Sequence, residues 1–224
     1  MLVVVCSGRS TLEKKNCFDG WQDSRLTFMS KRKAKKLGQE LKIRELKFDY
    51  AYVSMLPRAT ETLHYLLKGL DSKNIKIIED WHLNERSYGA LEGLNKNKFK
   101  KQVGAVKAYN LRRGVKEVPP KLNSEDSRNP KNKAKYQHIA DSLPTGESLE
   151  MARERFVAYF EKEIKPKLAD NDILLITHKN MMRAIIQYLD KIDDVYMANL
   201  EVKPLKPYVI EYDNGFNIYK EYFI

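Results

Sequence analysis

Asp172-Ile173-Leu174-Leu175-Ile176-Thr177-His178-Lys179-Asn180 is the stretch that decides the fold of this chain. Its apolar core is short and shows no polar alternation, so it reads as a strand buried on both faces. It breaks at once into polar residues, and from about 180 to 189 the pattern turns helical. The same step recurs outward along the chain. Leu2-Val3-Val4-Val5-Cys6-Ser7 reads as a second fully buried strand, Tyr50 to Val53 as a short third, Ile75 to Ile78 as a fourth and Tyr208 to Tyr212 as the last. Between them, Ser30 is expected to cap a helix running to about residue 42. Pro57 suits the first turn of another helix, with Ala59, Leu63, Leu66 and Leu67 as its apolar stripe. Glu147 to Leu168 has helical periodicity. No internal repeat and no linker interrupts this order. Strands alternating with helices predict a single α/β domain over 1–224, with a mostly parallel sheet and helices on both faces. Residues 114–146, with Pro119, Pro120, Pro130 and Pro144, read as a long, mostly irregular insertion.

Composition narrows the class. The chain has 224 residues and a 42% hydrophobic share, enough to bury a core. Aromatics at 10% argue against disorder. No apolar run approaches the ~18 residues of a membrane span, and the run after Met1 is too short for a signal-peptide core. Cys6 and Cys17 make neither a disulfide framework nor a four-ligand zinc site. These features predict a cytoplasmic globular protein with no membrane partner and no metal. Lys and Arg total 41 against 30 acidic residues, a net charge of +11. The densest basic run, Lys31-Arg32-Lys33-Ala34-Lys35-Lys36, has Ala34, Leu37 and Leu41 at helical spacing beneath it, so it reads as a solvated helix face. No RNA-binding aromatic signature, zinc-finger spacing or heptad repeat accompanies it, which disfavours nucleic acid. A small anion in a basic cleft is the more natural partner.

In open α/β sheets, ligands bind beyond the carboxyl ends of the strands. Three such ends carry chemistry here: Cys6-Ser7-Gly8-Arg9-Ser10, Thr177-His178-Lys179-Asn180, and Ser54 to Thr60 with Arg58. They are expected to converge on one pocket. Arg supplies forked donors to phosphate oxygens, and His supplies a donor or a transferable proton.

The segment Leu83-Asn84-Glu85-Arg86-Ser87-Tyr88-Gly89-Ala90-Leu91-Glu92-Gly93-Leu94-Asn95-Lys96 is more specific. It closely resembles the LNERxYGxLxGLNK signature of cofactor-dependent phosphoglycerate mutases, in the histidine phosphatase superfamily. The resemblance spans nearly the whole chain. Asn16 to Trp21 looks like the family's NRFSGW, and Ser54 to Thr62 resembles its SxxxRAxxT helix start. Arg112-Arg113 with Val118-Pro119-Pro120 resembles RR…VPP, Leu143 to Leu149 resembles LPxxESL, and His178-Lys179-Asn180 resembles HGN. The resemblance implies a phosphoglycerate mutase-like fold and a glycolytic isomerase interconverting 3- and 2-phosphoglycerate. It implies no permanently bound cofactor, with 2,3-bisphosphoglycerate as primer, and a phosphorylated three-carbon acid or other small anion as ligand. It also implies a homodimer or pairing with an active paralogue. Arg58, His178 and Glu85 match the family's second Arg, second His and proton-transfer carboxylate. Gly8, Ser10, Asp19, Gly20, Arg86, Tyr88, Lys96, Arg112, Arg113, Lys179 and Asn180, with Cys6, fall at substrate-binding positions.

The family's RHG motif reads Cys6-Ser7-Gly8 here. Ser7 stands where the nucleophilic His belongs, and Cys6 replaces the first Arg. A hydroxyl is a poor nucleophile unless a base activates it, and phosphoserine is a poor phosphoryl donor. Losing a cation that clamps the transferring group costs several kcal/mol more. Mutase turnover is therefore expected to be absent or very weak. Glu61, Glu13 and Asp19 bring negative charge to positions that are otherwise cationic or neutral, and Lys179 replaces a Gly that follows the second His. Arg9 and Lys179 are expected either to restore positive potential or to point to solvent. A thiolate nucleophile at Cys6 is a further possibility, though neighbouring side chains on a strand face opposite ways. The family's mobile C-terminal tail is expected to be largely missing, since the chain ends at Ile224 soon after its last strand. Two alternatives stay open: a weak or altered phosphatase or mutase using His178 and Glu85, and a basic binding or scaffolding module.

Overall fold

The computed structural model describes residues 1–213 and 216–222. Its elements in chain order are β1 (Leu2–Cys6), α1 (Thr11–Lys14), α2 (Phe28–Ile43), β2 (Tyr50–Ser54), α3 (Pro57–Leu70), β3 (Lys76–Asp80), α4 (Lys96–Val103) and α5 (Ala105–Arg113). There follow α6 (Leu149–Tyr159), β4 (Ile173–Thr177), α7 (Lys179–Asp190), α8 (Asp194–Asn199), β5 (Pro207–Asp213) and β6 (Phe216–Tyr222). One six-stranded sheet has the order β3-β2-β4-β1-β5-β6. β3, β2, β4 and β1 run parallel, and β5 and β6 join antiparallel at one edge. The expected α/β architecture with a mostly parallel sheet is the one the chain adopts.

The two-residue period of a strand explains why the central runs are apolar throughout. Leu2, Val4, Ile173 and Leu175 point to one side and pack on Leu149, Phe156, Met181 and Ile185 of α6 and α7. Val3, Val5, Leu174 and Ile176 point to the other, onto Leu37, Leu41, Leu63 and Leu66 of α2 and α3. A Cβ on Gly38 would stand 2.0 Å from the Leu66 carbonyl oxygen, and one on Gly69 would stand 2.0 Å from that of Lys35. α2 and α3 therefore meet backbone to backbone, which only glycine permits. Lys33, Lys35 and Lys36 are exposed above buried Ala34, so the basic run is the solvated face its spacing predicts.

Several expectations need correction. The cap of α2 is Thr27, whose Oγ1 accepts the Ser30 N–H at 3.3 Å; Ser30 lies inside the first turn and donates to the Arg9 carbonyl at 3.0 Å. The helix expected from Glu147 to Leu168 is regular only over α6. Pro166 has no N–H to give and crowds the preceding turn. The chain therefore continues through a π turn at Phe160–Ile164 and a 3-10 turn at Lys165–Ala169. The 114–146 segment is more ordered than its prolines suggest. It forms 3-10 turns at Pro130–Asn132 and Ala134–Ser142, and it buries Tyr136 and Leu143 against Trp21 and Leu56. Lys133 and Lys135 tie it to Asp23 at 3.2 and 2.6 Å.

The sequence reading does not anticipate α1, α4, α5, α8 or β6. α1 is too short for a periodic signal, and α4 and α5 bury only Phe99 and Ala108. The expectation about the chain's end at Ile224 lies outside the described residues. Among those residues, no helix is long and apolar enough to cross a membrane.

Candidate active site

The register of β1 against β4 builds the centre of the site. Cys6 stands opposite Thr177, and the Ser7 N–H donates to the Thr177 carbonyl at 2.8 Å. Ser7 and His178 therefore leave the sheet side by side, with Ser7 Oγ 3.2 Å from His178 Nδ1. β2, on the other side of β4, ends in Ser54, whose Oγ lies 2.8 Å from His178 Nε2. Arg58 follows in the first turn of α3 behind Pro57. The three strand ends converge as expected, on a cavity of about 210 Å³.

The cavity brings together Cys6, Ser7, Gly8, Asp19, Gly20, Arg58, Glu85, Tyr88, Lys96, Arg112, Arg113, His178, Lys179 and Asn180. Burial together with Arg58 and Arg155 holds the His178 pKa well below its ordinary value, so this imidazole is neutral. Arg58 is buried, lines the cavity and donates to the carbonyls of Gln22 and Gly20 at 3.1 and 2.7 Å. Glu85 accepts the Arg86 N–H at 2.9 Å. Cys6 and Ser7 both line the cavity, although strand alternation gives no reason to expect both there. Burial pushes the Cys6 thiol up to about 12, so it stays protonated and supplies no thiolate.

Ser10 and Arg86 lie elsewhere. Ser10 caps α1 and donates to Asp19 Oδ2 at 2.6 Å, so it reaches the cavity only by holding Asp19. Ser24 holds the other oxygen of Asp19 at 2.8 Å. Arg86 is fully buried and donates to the carbonyls of Leu111, Gly114 and Glu147 at 2.7, 3.2 and 2.9 Å. It caps the C-terminal end of α5, the helix that presents Arg112 and Arg113. Arg9 is exposed and outside the cavity, and Lys179 is ion-paired with Glu13. Neither adds an unopposed charge to the cavity. Glu61 also lies outside, bound to Arg25 and to the Leu26 N–H at 3.2 and 2.7 Å.

Arg183, Glu201 and Val202 line the cavity without having been anticipated. Arg183 had a usable signal, since it sits three residues beyond Asn180 on one face of α7. It donates to Asn180 Oδ1 at 3.0 Å, and Asn180 donates to the Tyr88 hydroxyl at 3.0 Å. Glu201 and Val202 follow α8 and had no local signal. Three further residues hold the 83–96 loop. Glu92 is buried and accepts from Trp21 N, Tyr88 N and Gln22 Nε2 at 2.9, 3.1 and 3.0 Å, and burial raises its pKa. Glu147 and Arg155 form a buried pair at 2.9 Å, and Arg155 also donates to the carbonyls of Trp81 and His82 at 3.0 and 2.7 Å.

Electrostatics decide what the cavity can hold. Arg58, Lys96, Arg112, Arg113, Lys179 and Arg183 face Glu13, Asp19, Glu85 and Glu201, six positive groups against four negative. Burial and the neighbouring Arg112 depress the pKa of both Lys96 and Arg113. Burial and Arg113 push Arg183 down to about 10. Nη1 of Arg113 is buried with no partner among the described residues. Crowded, desolvated cations of this kind are stabilised by an incoming anion.

Comparison with known proteins agrees with this arrangement. The family model of the histidine phosphatase superfamily (branch 1) matches residues 2–126 and 121–224. The chain is 38% identical over 225 residues to the 2,3-bisphosphoglycerate-dependent phosphoglycerate mutase of Buchnera aphidicola subsp. Schizaphis graminum, covering 100% of this chain and 98% of that one. The protein of the same name from Blochmanniella floridana is 38% identical, covering 99% and 97%. Among solved structures, phosphoglycerate mutase from Bacillus anthracis superposes with a TM-score of 0.70 at 23% identity, over 97% of this chain and 89% of that one. Bacillus stearothermophilus YhfR superposes at 0.75 with 19% identity, over 97% and 93%. With both halves matched by one family and full-length relatives at 38% identity, this chain belongs to branch 1 of the histidine phosphatase superfamily.

Proposed function

We propose that this protein binds a small phosphorylated acid of the phosphoglycerate class and does not run the phosphohistidine cycle of a mutase. The observation that carries the reading is a cation-rich cavity in which β1 ends in the Cys6 thiol and the Ser7 hydroxyl rather than a guanidinium and an imidazole. Arg58, His178 and Glu85 keep the phosphoryl-binding and proton-transfer groups, and Lys96, Arg112 and Arg113 offer donors to a carboxylate or second phosphate. Nothing on β1 forms the high-energy phosphoramidate from which a phosphoryl group moves on to either hydroxyl. The relatives named 2,3-bisphosphoglycerate-dependent phosphoglycerate mutases support the ligand class, with 2,3-bisphosphoglycerate as a ligand rather than a resident cofactor.

Calorimetric titration with 2,3-bisphosphoglycerate and 3-phosphoglycerate, alongside coupled mutase and phosphatase assays, tests this reading. Saturable, salt-sensitive binding without sustained turnover is expected. Mutase turnover that vanishes in His178→Ala would overturn the silent reading. A second reading, weak hydrolysis by a water held between His178 and Glu85, has support in both side chains lining the cavity. Phosphate release lost in both His178→Ala and Glu85→Gln would select it. A cytoplasmic setting and association with a second copy or an active paralogue belong to the same proposal. Gel filtration of this chain alone and mixed with such a paralogue checks the association.

A further inference from the structure

A line of hydrogen bonds leads from the backbone of Met55 to Ser7, and every direction in it is fixed. The Met55 N–H donates to Asn84 Oδ1 at 3.0 Å, which settles which end of that amide is oxygen. Asn84 Nδ2 accordingly donates to the Tyr136 hydroxyl at 2.8 Å. Ser54 Oγ lies 2.8 Å from the same Asn84 Oδ1, an atom that only accepts, so Ser54 commits its single proton there. Ser54 Oγ is left with lone pairs, one taken by the Leu56 N–H at 3.2 Å and the other facing His178 Nε2 at 2.8 Å. Nε2 therefore carries the ring proton. Burial beside Arg58 and Arg155 keeps the ring neutral, so Nδ1 bears a free lone pair. Ser7 Oγ stands 3.2 Å from that lone pair, and the donor between them is the serine hydroxyl. Ser54 and Asn84 are fully buried, so water does not scramble the line.

This is the arrangement of a nucleophile beside its base, with a third group fixing the base's tautomer. We propose that Ser7 is a phosphoryl acceptor: with His178 Nδ1 as its base, it takes the phosphoryl group from a phosphorylated hydroxy acid in the cavity and keeps it as phosphoserine. In the step, the Ser7 Oγ–P bond forms and the donor's ester O–P bond breaks. The proton leaves Ser7 Oγ for His178 Nδ1 and passes on to solvent, while the departing oxygen, on the far side of phosphorus, takes a proton from solvent and leaves as the free alcohol. One ester replaces another, so no further reagent is consumed. Arg58, on the cavity wall, offers its guanidinium to the phosphoryl oxygens. The product is a stable monoester, so the protein charges once and stops. Ser54 and Asn84 are positioning residues that act through His178. The proposal rests on the anion-binding reading above and adds a covalent outcome to it.

The test incubates the intact protein with 2,3-bisphosphoglycerate, with binding followed by calorimetry and covalent change by mass spectrometry after acid treatment. One phosphoryl group per chain is expected, on Ser7, surviving acid as a phosphohistidine would not, and absent from Ser7→Ala. Ser54→Ala removes the acceptor for the Nε2 proton and should slow adduct formation by about 100-fold or more. Nitrogen NMR of His178 should show the ring proton leaving Nε2 in that variant, a change that a purely structural role for Ser54 would not produce. Binding without an adduct overturns the proposal while sparing the anion pocket, whereas no binding removes both. Phosphate release without an adduct assigns the attack to water and also overturns it.

Discussion

Replacing Arg113 by Met should make the empty protein more stable and the anion complex weaker. Nη1 of Arg113 is buried without a partner among the described residues, and burial and Arg112 both depress the group's pKa. A buried donor lacking an acceptor costs about 1–3 kcal/mol; because the side chain as a whole is partly exposed, about 1–2 kcal/mol is the share expected here. Met keeps an apolar stem and removes the charge. At roughly 2–4 °C per kcal/mol for a chain of this size, Tm should rise by about 2–8 °C. On the ligand side, a charge-assisted hydrogen bond is worth roughly 1.5–3 kcal/mol, so the Kd for 2,3-bisphosphoglycerate should weaken about 10- to 150-fold. Thermal unfolding with and without ligand, together with calorimetry, reads both effects. A variant that melts lower in the absence of ligand would refute the idea of an unsatisfied cation. Unchanged affinity would show that the Arg113 side of the cavity does not bind the anion.

Cys6→Arg with Ser7→His, the residues that the resemblance to phosphoglycerate mutases implies there, should yield an acid-labile phosphohistidine after incubation with bisphosphoglycerate; a folded double variant that stays unlabelled would place the obstruction at Glu13, Asp19 or Lys179. Gly20→Ala meets two barriers, a φ of +49° and a Cβ 2.1 Å from Glu92 Oε1. The left-handed backbone costs ~1–2 kcal/mol, and displacing Glu92 from the Trp21 and Tyr88 amides ~1–3 kcal/mol, so urea denaturation should show a loss of about 2–5 kcal/mol. A loss under about 1 kcal/mol would mean that the turn accommodates the methyl group. His178 has its folded-state pKa depressed below 6.5. As pH falls through that value, the unfolded chain binds a proton that the folded one refuses, so stability present above pH 6.5 is lost below it. His178→Gln should flatten the stability curve in that window, and an unaltered slope there would argue for a solvated imidazole.

Much of the framework is legible in the chain itself. Strands buried on both faces announce themselves as unbroken apolar runs, because neither side chain set can face water. Chain order then sends their carboxyl ends to one edge, where Arg58 and His178 meet. The mixture of charge, aromatic and glycine in the 83–96 segment marks it as no ordinary strand or helix, and its resemblance to the LNERxYGxLxGLNK signature points to the family. The identity of residue 7 is likewise a fact of sequence.

Which charges share the cavity is a different kind of fact. Arg9 and Glu61 look like site residues by position, but one is exposed and the other is tied to Arg25. Arg86 sits inside the most diagnostic segment yet turns away to cap α5. Lys179 adds a cation only to pair it with Glu13. Local pattern fixes the side of an element on which a residue stands, and so predicts layers and strand ends. It cannot say which distant carbonyl or carboxylate meets a side chain, because that follows from contacts across more than 100 residues of chain, such as those that set the Ser54–His178 and Lys179–Glu13 pairs. Sequence therefore determined the scaffold and the serine at position 7, while tertiary packing decided the tautomer of His178 and the balance of charge around it.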